Sequence, residues 1–255
     1  MPFQETREFN FTNFRIEFNL YKRNRDSIFR LKNNEALLLQ VSELTNLDVK
    51  LRLAFAIKEI QLDNNFVSDK YDELKLCHLF YYKLSDLWFA YETYIKFYKQ
   101  VFRKKKDKIT WLSEKIYCQY ENSLQIVKSL ADVNTQFSET YSNKLKQEHL
   151  INYLENGETL ASLTQKKRLG SIISKIRSGD LVLSNTEVLT IIYTIRNNFV
   201  HNGETTIVPD NFGFENKSKL LQILYPYLCL VILKSINITC NQILTIDSQI
   251  NITNK

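Results

Sequence analysis

Glycine and proline are scarce in this chain, which has 5 Gly and 3 Pro in 255 residues. Sandwiches, barrels and doubly wound sheets need turn residues at most connections, so the scarcity disfavours them and favours long helices. The apolar fraction of 44% and the charged fraction of 24% are typical of a soluble globular protein. A chain of this length can bury a full core as one large domain or two small ones. We therefore predict an all-α helical bundle.

Paired cysteines are also lacking. The four cysteines, Cys77, Cys118, Cys229 and Cys240, are scattered, and no pair has the two-residue spacing of a zinc or redox site. The N-terminal stretch "MPFQETREFNF" has no apolar segment of the kind that a secretory signal needs. We expect buried, reduced thiols in a cytoplasmic protein, with no metal site and no cofactor.

The chain has no apolar run long enough to cross a membrane. The longest candidate, "LLQILYPYLCLVIL", fills residues 220–233 between Lys219 and Lys234 and is interrupted by Gln222 and Pro226. A membrane-spanning helix needs about 20 apolar residues. We expect a buried core helix, kinked near Pro226, and no membrane association.

The net charge of +6 gives a weak preference for an anionic partner. The run "RKKKDK", residues 103–108, follows a predicted helix, where the helix dipole favours cations. A solvated helix end is therefore favoured over a nucleic-acid patch. The segment "QKKRLGSIISKIR", residues 165–177, is either a contact for an RNA backbone or a solvated helix face.

The order of elements follows from the apolar periodicity. "FNFTNFRIEFNL" alternates apolar and polar residues, so residues 1–33 are predicted as a loop or an edge strand. Tyr81, Leu84, Trp88, Tyr91, Ile95 and Tyr98 recur at steps of three and four, which makes residues 68–102 the clearest helix, with this stripe in the core. Other helices are predicted over 35–62, 109–131, 134–155, 159–177 and 216–244, with 178–184 as a connector. We assign an N-terminal extension with helices, 1–67, and a helical domain, 68–255; the alternative is one continuous domain, 34–255.

A further helix contains the stretch "TIIYTIRNNFVHNGE", residues 190–204. Ser184 and Glu187 have the spacing of a capping box, so we expect Ser184 to be the N-cap. Asn202 and Gly203 suit the C-cap and the left-handed position after it. On a helical wheel Val188, Ile192, Ile195 and Phe199 share one arc, predicted to pack on the helix of 68–102. Tyr193, Arg196, Asn197 and His201 lie on the neighbouring arc, off this core seam.

The residue types on that second arc suit phosphate chemistry. Guanidinium matches phosphate geometry and keeps its charge, and imidazole exchanges protons near pH 7. A histidine and an arginine near a helix C-terminus can also simply complement the free carbonyls of the last turn. Both interpretations stay open at this point.

"RNNFVH" resembles the R-x4-H motif of the HEPN family, helical-bundle domains found in many metal-independent ribonucleases of toxin, abortive-infection and antiphage systems. The resemblance implies that Arg196 and His201 are catalytic and that Asn197 orients the phosphate. It also implies a homodimer with both motifs lining one cleft, RNA as substrate, and products with a 2′,3′-cyclic phosphate and a 5′-hydroxyl. An antitoxin or defence-system partner is a further expectation. Some members carry a tyrosine two residues after the histidine, which a partner modifies; Gly203 occupies that position here, which argues against that control.

Other candidate residues have competing interpretations. Tyr193 could stack on a base or pack in the core or an interface. Glu92 could orient Arg196. However, Lys96 lies four residues after Glu92, so a surface ion pair between Glu92 and Lys96 is favoured. His78 and His149 are expected to be structural.

Two further functions remain alongside the ribonuclease hypothesis. The first is a non-catalytic helical module that binds RNA or a protein through the same surface. The second is a structural bundle in which the motif match is accidental. A fold cannot choose among the three, because function depends on the site.

Overall fold

The computed structural model describes residues 11–31, 35–63, 71–114, 120, 123–202 and 212–253, and every regular element in these ranges is helical. The prediction of an all-α fold is confirmed. The α-helices are α1 (Phe11–Arg30), α2 (Glu35–Ala56), α3 (Tyr71–Phe102), α4 (Leu124–Thr140), α5 (Lys144–Thr159), α6 (Leu163–Arg177), α7 (Asn185–His201) and α8 (Gly213–Thr253), with a short 3₁₀ helix at Trp111–Ser113.

The expected loop or edge strand near the N-terminus is wrong, because residues from Phe11 onward form α1. Phe14 and Phe18 are four residues apart, and both rings contact Phe55 of α2 edge-on, with centroids 4.8 and 5.5 Å away. Tyr21, the next residue on this face, is fully buried and donates to Asp48 at 2.8 Å. The local alternation misled the prediction because tertiary packing of this one face decides the conformation.

The long helix α8 is the centre of the bundle, with α1, α3 and α4 packed around it. Gly213–Asp247 is long and apolar enough to cross a membrane by length and composition, with a mean hydropathy of 1.6 over its most apolar window, yet 83% of that window is buried inside the protein. The segment 220–233 is a buried core helix, as predicted, and α8 continues through Pro226.

The N-terminal helices share the core with the rest of the chain. α2 packs along α3, and α1 packs along α8. A buried polar network joins α1 to α8: Lys234 binds Glu17 Oε1 at 3.1 Å, and the Asn237 amide donates to Glu17 Oε2 at 2.8 Å. The predicted boundary between residues 67 and 68 lies outside the described residues.

Helix α7 begins as predicted. The Glu187 backbone N–H donates to Ser184 Oγ at 3.3 Å, and the Ser184 N–H donates to Glu187 Oε2 at 2.7 Å, which completes the capping box. Val188, Ile192 and Ile195 are buried. Phe199 stacks on Tyr81 of α3 with centroids 4.8 Å apart, so the predicted packing of α7 on α3 is confirmed at this arc.

Helix α5 approaches the other side of α7 closely because it carries Gly157. A Cβ at this position would lie 2.6 Å from Thr194 Cγ2 and 3.2 Å from Asn198 Nδ2. Gln165 of α6 adds polar support, donating to the Thr190 carbonyl at 3.1 Å and to Thr194 Oγ1 at 2.7 Å. Helices α3, α5 and α6 thus fix α7 from three sides.

Three of the four thiols behave as expected. Cys77, Cys229 and Cys240 are free and buried. Burial raises the pKa of both Cys229 and Cys240 to about 12, so these thiols are unreactive at neutral pH. Cys118 lies outside the described residues.

Candidate active site at the C-terminal end of α7

The guanidinium of Arg196 is the centre of the candidate site. Arg196 Nη1 donates to Asn197 Oδ1 at 2.9 Å and lies 2.7 Å from His201 Nε2. The arginine thus bridges the angle between its own position and that of the histidine. His201 is exposed, whereas Arg196 is only 6% exposed. The expectation that Arg196 lies off the core seam is therefore wrong, because its side chain reaches back over α3.

The contact between the two side chains fixes the state of the imidazole. A guanidinium has only donors, so His201 Nε2 must be the unprotonated acceptor and the proton of the neutral ring must be on Nδ1. The contact cannot persist once Nε2 takes up a proton, because two donors then oppose each other.

Helix α3 supplies the surroundings of Arg196. The guanidinium carbon lies 4.7 Å above the centre of the Phe89 ring, and Nη2 lies 3.7 Å from Glu92 Oε2. Glu92 also accepts from Lys108 Nζ at 2.5 Å. The favoured pairing of Glu92 with Lys96 is wrong: among the described residues its ion pairs are with Lys108 and Arg196. An exposed i, i+4 ion pair such as Glu92–Lys96 would stabilise the fold by about 0.3–0.5 kcal/mol. The half-buried interaction of Glu92 with both Lys108 and Arg196 is more favourable than that.

The electrostatics keep Glu92 ionised. Burial alone would raise the pKa of this carboxyl, but the hydrogen bond and charge of Lys108, with the charge of Arg196, lower it overall. A permanent negative charge therefore stands beside a permanent positive charge. Arg196 Nε has no hydrogen-bond partner among the described residues, so one buried donor of the guanidinium remains unused.

The other sequence-predicted residues have mixed positions. Tyr193 packs on Trp88 with ring centroids 5.5 Å apart, which is the packing role rather than an open base-stacking surface. Asn202 is the C-cap, and its backbone N–H donates to the Asn198 carbonyl at 3.2 Å. Gly203 lies outside the described residues.

The remaining histidines lie apart from the motif. His78 is half-buried on α3, near Tyr82, and burial lowers its pKa. His149 is half-buried on α5.

Five of the six residues of the basic run 103–108 are exposed, which agrees with a solvated helix end, and the segment 165–177 exposes Lys167 and Arg177. Lys106 of the run 103–108 is buried, 6% exposed, and is not part of a solvated helix end. Gln165, the first residue of the other segment, is buried against α7 and is not available to RNA. The sequence-based prediction missed Phe89 as a neighbour of Arg196 and Lys108 as a partner of Glu92. The spacing of Phe89 and Glu92 on one face of α3 was the available signal for the first.

Within the described residues, no group of three or more His, Cys, Asp or Glu side chains is arranged to hold a metal ion. Comparisons with protein-family models, with curated proteins and with solved structures found no match.

Proposed function

We propose that this protein is a metal-independent endoribonuclease of the HEPN type, with Arg196 and His201 as its catalytic residues. The observation that supports the proposal is the 2.7 Å contact between Arg196 Nη1 and His201 Nε2 at the end of a firmly packed helix. It joins a group that can carry a proton near pH 7 to a group that keeps its positive charge.

The reaction is transesterification within the RNA strand. The 2′-oxygen attacks the adjacent phosphorus and releases its proton to a base, and the bond from phosphorus to the 5′-oxygen breaks as that oxygen receives a proton from an acid. The products are a 2′,3′-cyclic phosphate and a 5′-hydroxyl. Arg196 stabilises the extra charge on the phosphorane.

The arrangement suggests how proton transfer and charge stabilisation are coupled. As His201 Nε2 takes the proton of the 2′-hydroxyl, it ceases to accept from Arg196. The Nη1 donor is then released to the phosphate as negative charge develops there. Glu92 holds the guanidinium in place from the α3 side, and Asn197 holds Nη1.

Two proton transfers need two groups, whereas α7 offers one histidine. A symmetric homodimer that brings both copies of His201 to one RNA strand meets this need. We place the enzyme in the cytoplasm, not on a membrane, in a bacterial toxin or antiphage system with an antitoxin or defence partner.

One observation favours a second function. Arg196 is 6% exposed and contacts Phe89 and Glu92, so its burial is also explained by a packing role. In that case the end of α7 is part of a structural bundle and the motif match is accidental.

Replacing His201 and Arg196 separately by alanine distinguishes these functions. Loss of a general acid or base should reduce cleavage roughly 10²–10⁴-fold, so His201→Ala should cut RNA slowly and bind it nearly as well as the wild type. Arg196→Ala should impair both cleavage and binding, because the arginine contacts the phosphate before and during the reaction. Cleavage is measured on end-labelled RNA and binding by fluorescence anisotropy.

His149→Ala is the matched control, since it removes a half-buried histidine from another helix. It should cut at the wild-type rate. Wild-type cleavage by both Arg196→Ala and His201→Ala would place the active site elsewhere. A wild-type protein that binds RNA without cutting it would favour the binding module.

A further inference from the structure

The segment after α3 turns back on the helix instead of extending into solvent. Arg103 has φ of 56°, in the left-handed region where glycine is usual and a side chain costs about 1–2 kcal/mol. This conformation ends α3 and reverses the chain. Local strain of this kind persists only where neighbouring contacts hold it.

Lys106 supplies the strongest of those contacts. Its ammonium lies within 3.7–4.9 Å of the ring centres of Tyr94, Tyr98, Trp111 and Tyr120, and it donates to Tyr94 Oη at 2.7 Å. Aromatic faces attract a cation most strongly when it is shielded from water. One lysine of the basic run therefore anchors the segment in the core.

The following residues are equally fixed. Asp107 Oδ1 accepts from the backbone N–H groups of Ile109 and Thr110 at 2.9 and 2.8 Å. Tyr91 Oη donates to the Lys108 carbonyl at 2.6 Å, and Lys108 Nζ binds Glu92, the same carboxylate that pairs with Arg196. Glu92 therefore contacts both Lys108, at the end of the basic segment, and Arg196 of the candidate site.

A stripe of cations leads to the same place along α3. Lys96 and Lys99 follow Glu92 at intervals of four and three residues, which puts them on one face of α3. Arg103 follows directly after the helix, and all three side chains are exposed. Lys104 and Lys105 are exposed beyond them. Glu92 and Lys99 are about 10 Å apart along the axis. No large apolar side chain between residues 96 and 114 is exposed.

We propose that this cationic stripe, Lys96, Lys99, Arg103, Lys104 and Lys105, binds the phosphate backbone of single-stranded RNA and leads it to Arg196 and His201. This inference rests on the proposed function and adds the route of the substrate. Fixed cations at regular spacing suit a polyanion. An anionic membrane is the less suitable partner, because a surface-binding segment would also present apolar side chains to the lipid.

The experiment uses the full chain and a 2′-O-methyl oligoribonucleotide of about 16 nucleotides, the upper end of single-strand site sizes. This probe lacks the attacking hydroxyl, so binding is measured without cleavage. Anisotropy is recorded between about 50 and 200 mM salt, and the slope of log affinity against log salt counts phosphate contacts. Each lost contact to a single strand should reduce the slope by about 0.7.

Lys96→Gln/Lys99→Gln should bind more weakly, with a slope smaller by about 1.4. The control Lys144→Gln/Lys146→Gln removes two exposed lysines from the first turn of α5 and should keep the wild-type slope. Arg103→Gly suits the left-handed backbone, so it should fold with an unchanged or higher Tm and a slope smaller by about 0.7.

An unchanged salt slope in Lys96→Gln/Lys99→Gln would overturn the proposal. An equal reduction of the slope in the α5 control would also overturn it, because net charge alone would then explain the binding. Binding to vesicles with anionic lipid but not to the oligonucleotide would also overturn it. Cleavage of RNA with no effect of the stripe variants would reject the stripe and keep the enzyme. Stripe-dependent binding without any cleavage would reject the enzyme and keep the stripe.

Discussion

The bundle buries two basic side chains, Arg196 and Lys106, in different ways. Arg196 on α7 has a carboxylate, Glu92, 3.7 Å from its guanidinium, and an aromatic face below it. Lys106, in the segment after α3, has four aromatic faces and a tyrosine hydroxyl. An arginine cannot lose its proton inside a protein, so it needs a permanent counter-charge, whereas a buried lysine can become neutral. The surroundings of Arg196 keep its positive charge available for chemistry, whereas those of Lys106 hold the backbone of the segment after α3 in place.

Because of this difference, Arg196 belongs to the candidate site, whereas Lys106 anchors the segment after α3. Arg196 contacts His201, and its buried Nε is a donor with no hydrogen-bond partner among the described residues. Lys106 is enclosed by the rings. Lys108, two residues after Lys106, binds Glu92, which pairs with Arg196.

Removing the counter-charge should have the larger effect on stability. Glu92→Gln leaves Arg196 buried without a carboxylate, and we expect a loss of about 1–3 kcal/mol in the free energy of unfolding at pH 7. Because the pKa of Glu92 is lowered in the folded state, its stabilisation is present above the ordinary carboxyl range and is lost as pH falls through the folded pKa. Urea unfolding at pH 7 and in acid measures both effects.

Glu139→Gln is the control for this experiment, because Glu139 is an exposed carboxylate on α4. It should stay within about 0.5 kcal/mol of the wild type. If Glu92→Gln is no more destabilising than this control, Glu92 is not the counter-charge of Arg196.

Replacing the anchor should have a smaller effect, and its pH dependence has the same sign but lies in a higher pH window, above pH 6. Burial lowers the pKa of Lys106 to about 6, so between this value and about 10.4 the unfolded chain binds a proton that the folded chain does not. Wild-type stability should therefore rise with pH above 6, by at most about 1.4 kcal/mol per pH unit, since the aromatic faces oppose deprotonation. Lys106→Met should remove this rise and remain within about 1 kcal/mol of the wild type at pH 7.

Urea midpoints at several pH values between 6 and 9 measure the trend, with Lys105→Met as the exposed control. A Lys106→Met protein with the wild-type pH dependence would show that Lys106 stays charged in its cage. The comparison between the two cations would then be wrong in its central respect.

Much of the fold was predictable because it depends on local signals. Scarce glycine and proline and the aromatic stripe of α3 predicted a helical bundle, and the capping box of α7 is a contact within four residues. The N-terminal helix was missed because its pattern is ambiguous until Phe14 and Phe18 meet Phe55 of the next helix.

The candidate site was predictable only in part. The approach of Arg196 to His201 follows from the helical wheel and the length of an arginine, so the sequence was enough to suggest it. Glu92 pairs with Arg196 and Lys108 because of the way α3, α7 and the segment after α3 pack together. Lys106 is buried by rings from three separate stretches of the chain, so no local sequence pattern predicts its burial.

The central claim is that Arg196 and His201 act as one unit, and a double-mutant cycle on RNA cleavage tests it most directly. Single-turnover rates are measured for the wild type, Arg196→Ala, His201→Ala and the double variant, with the cyclic phosphate ends identified in each case. Residues that act as a unit have strongly non-additive effects, so the double variant should be about as slow as the slower single variant. Rate losses that multiply, or single variants that cut RNA at the wild-type rate, would contradict the account.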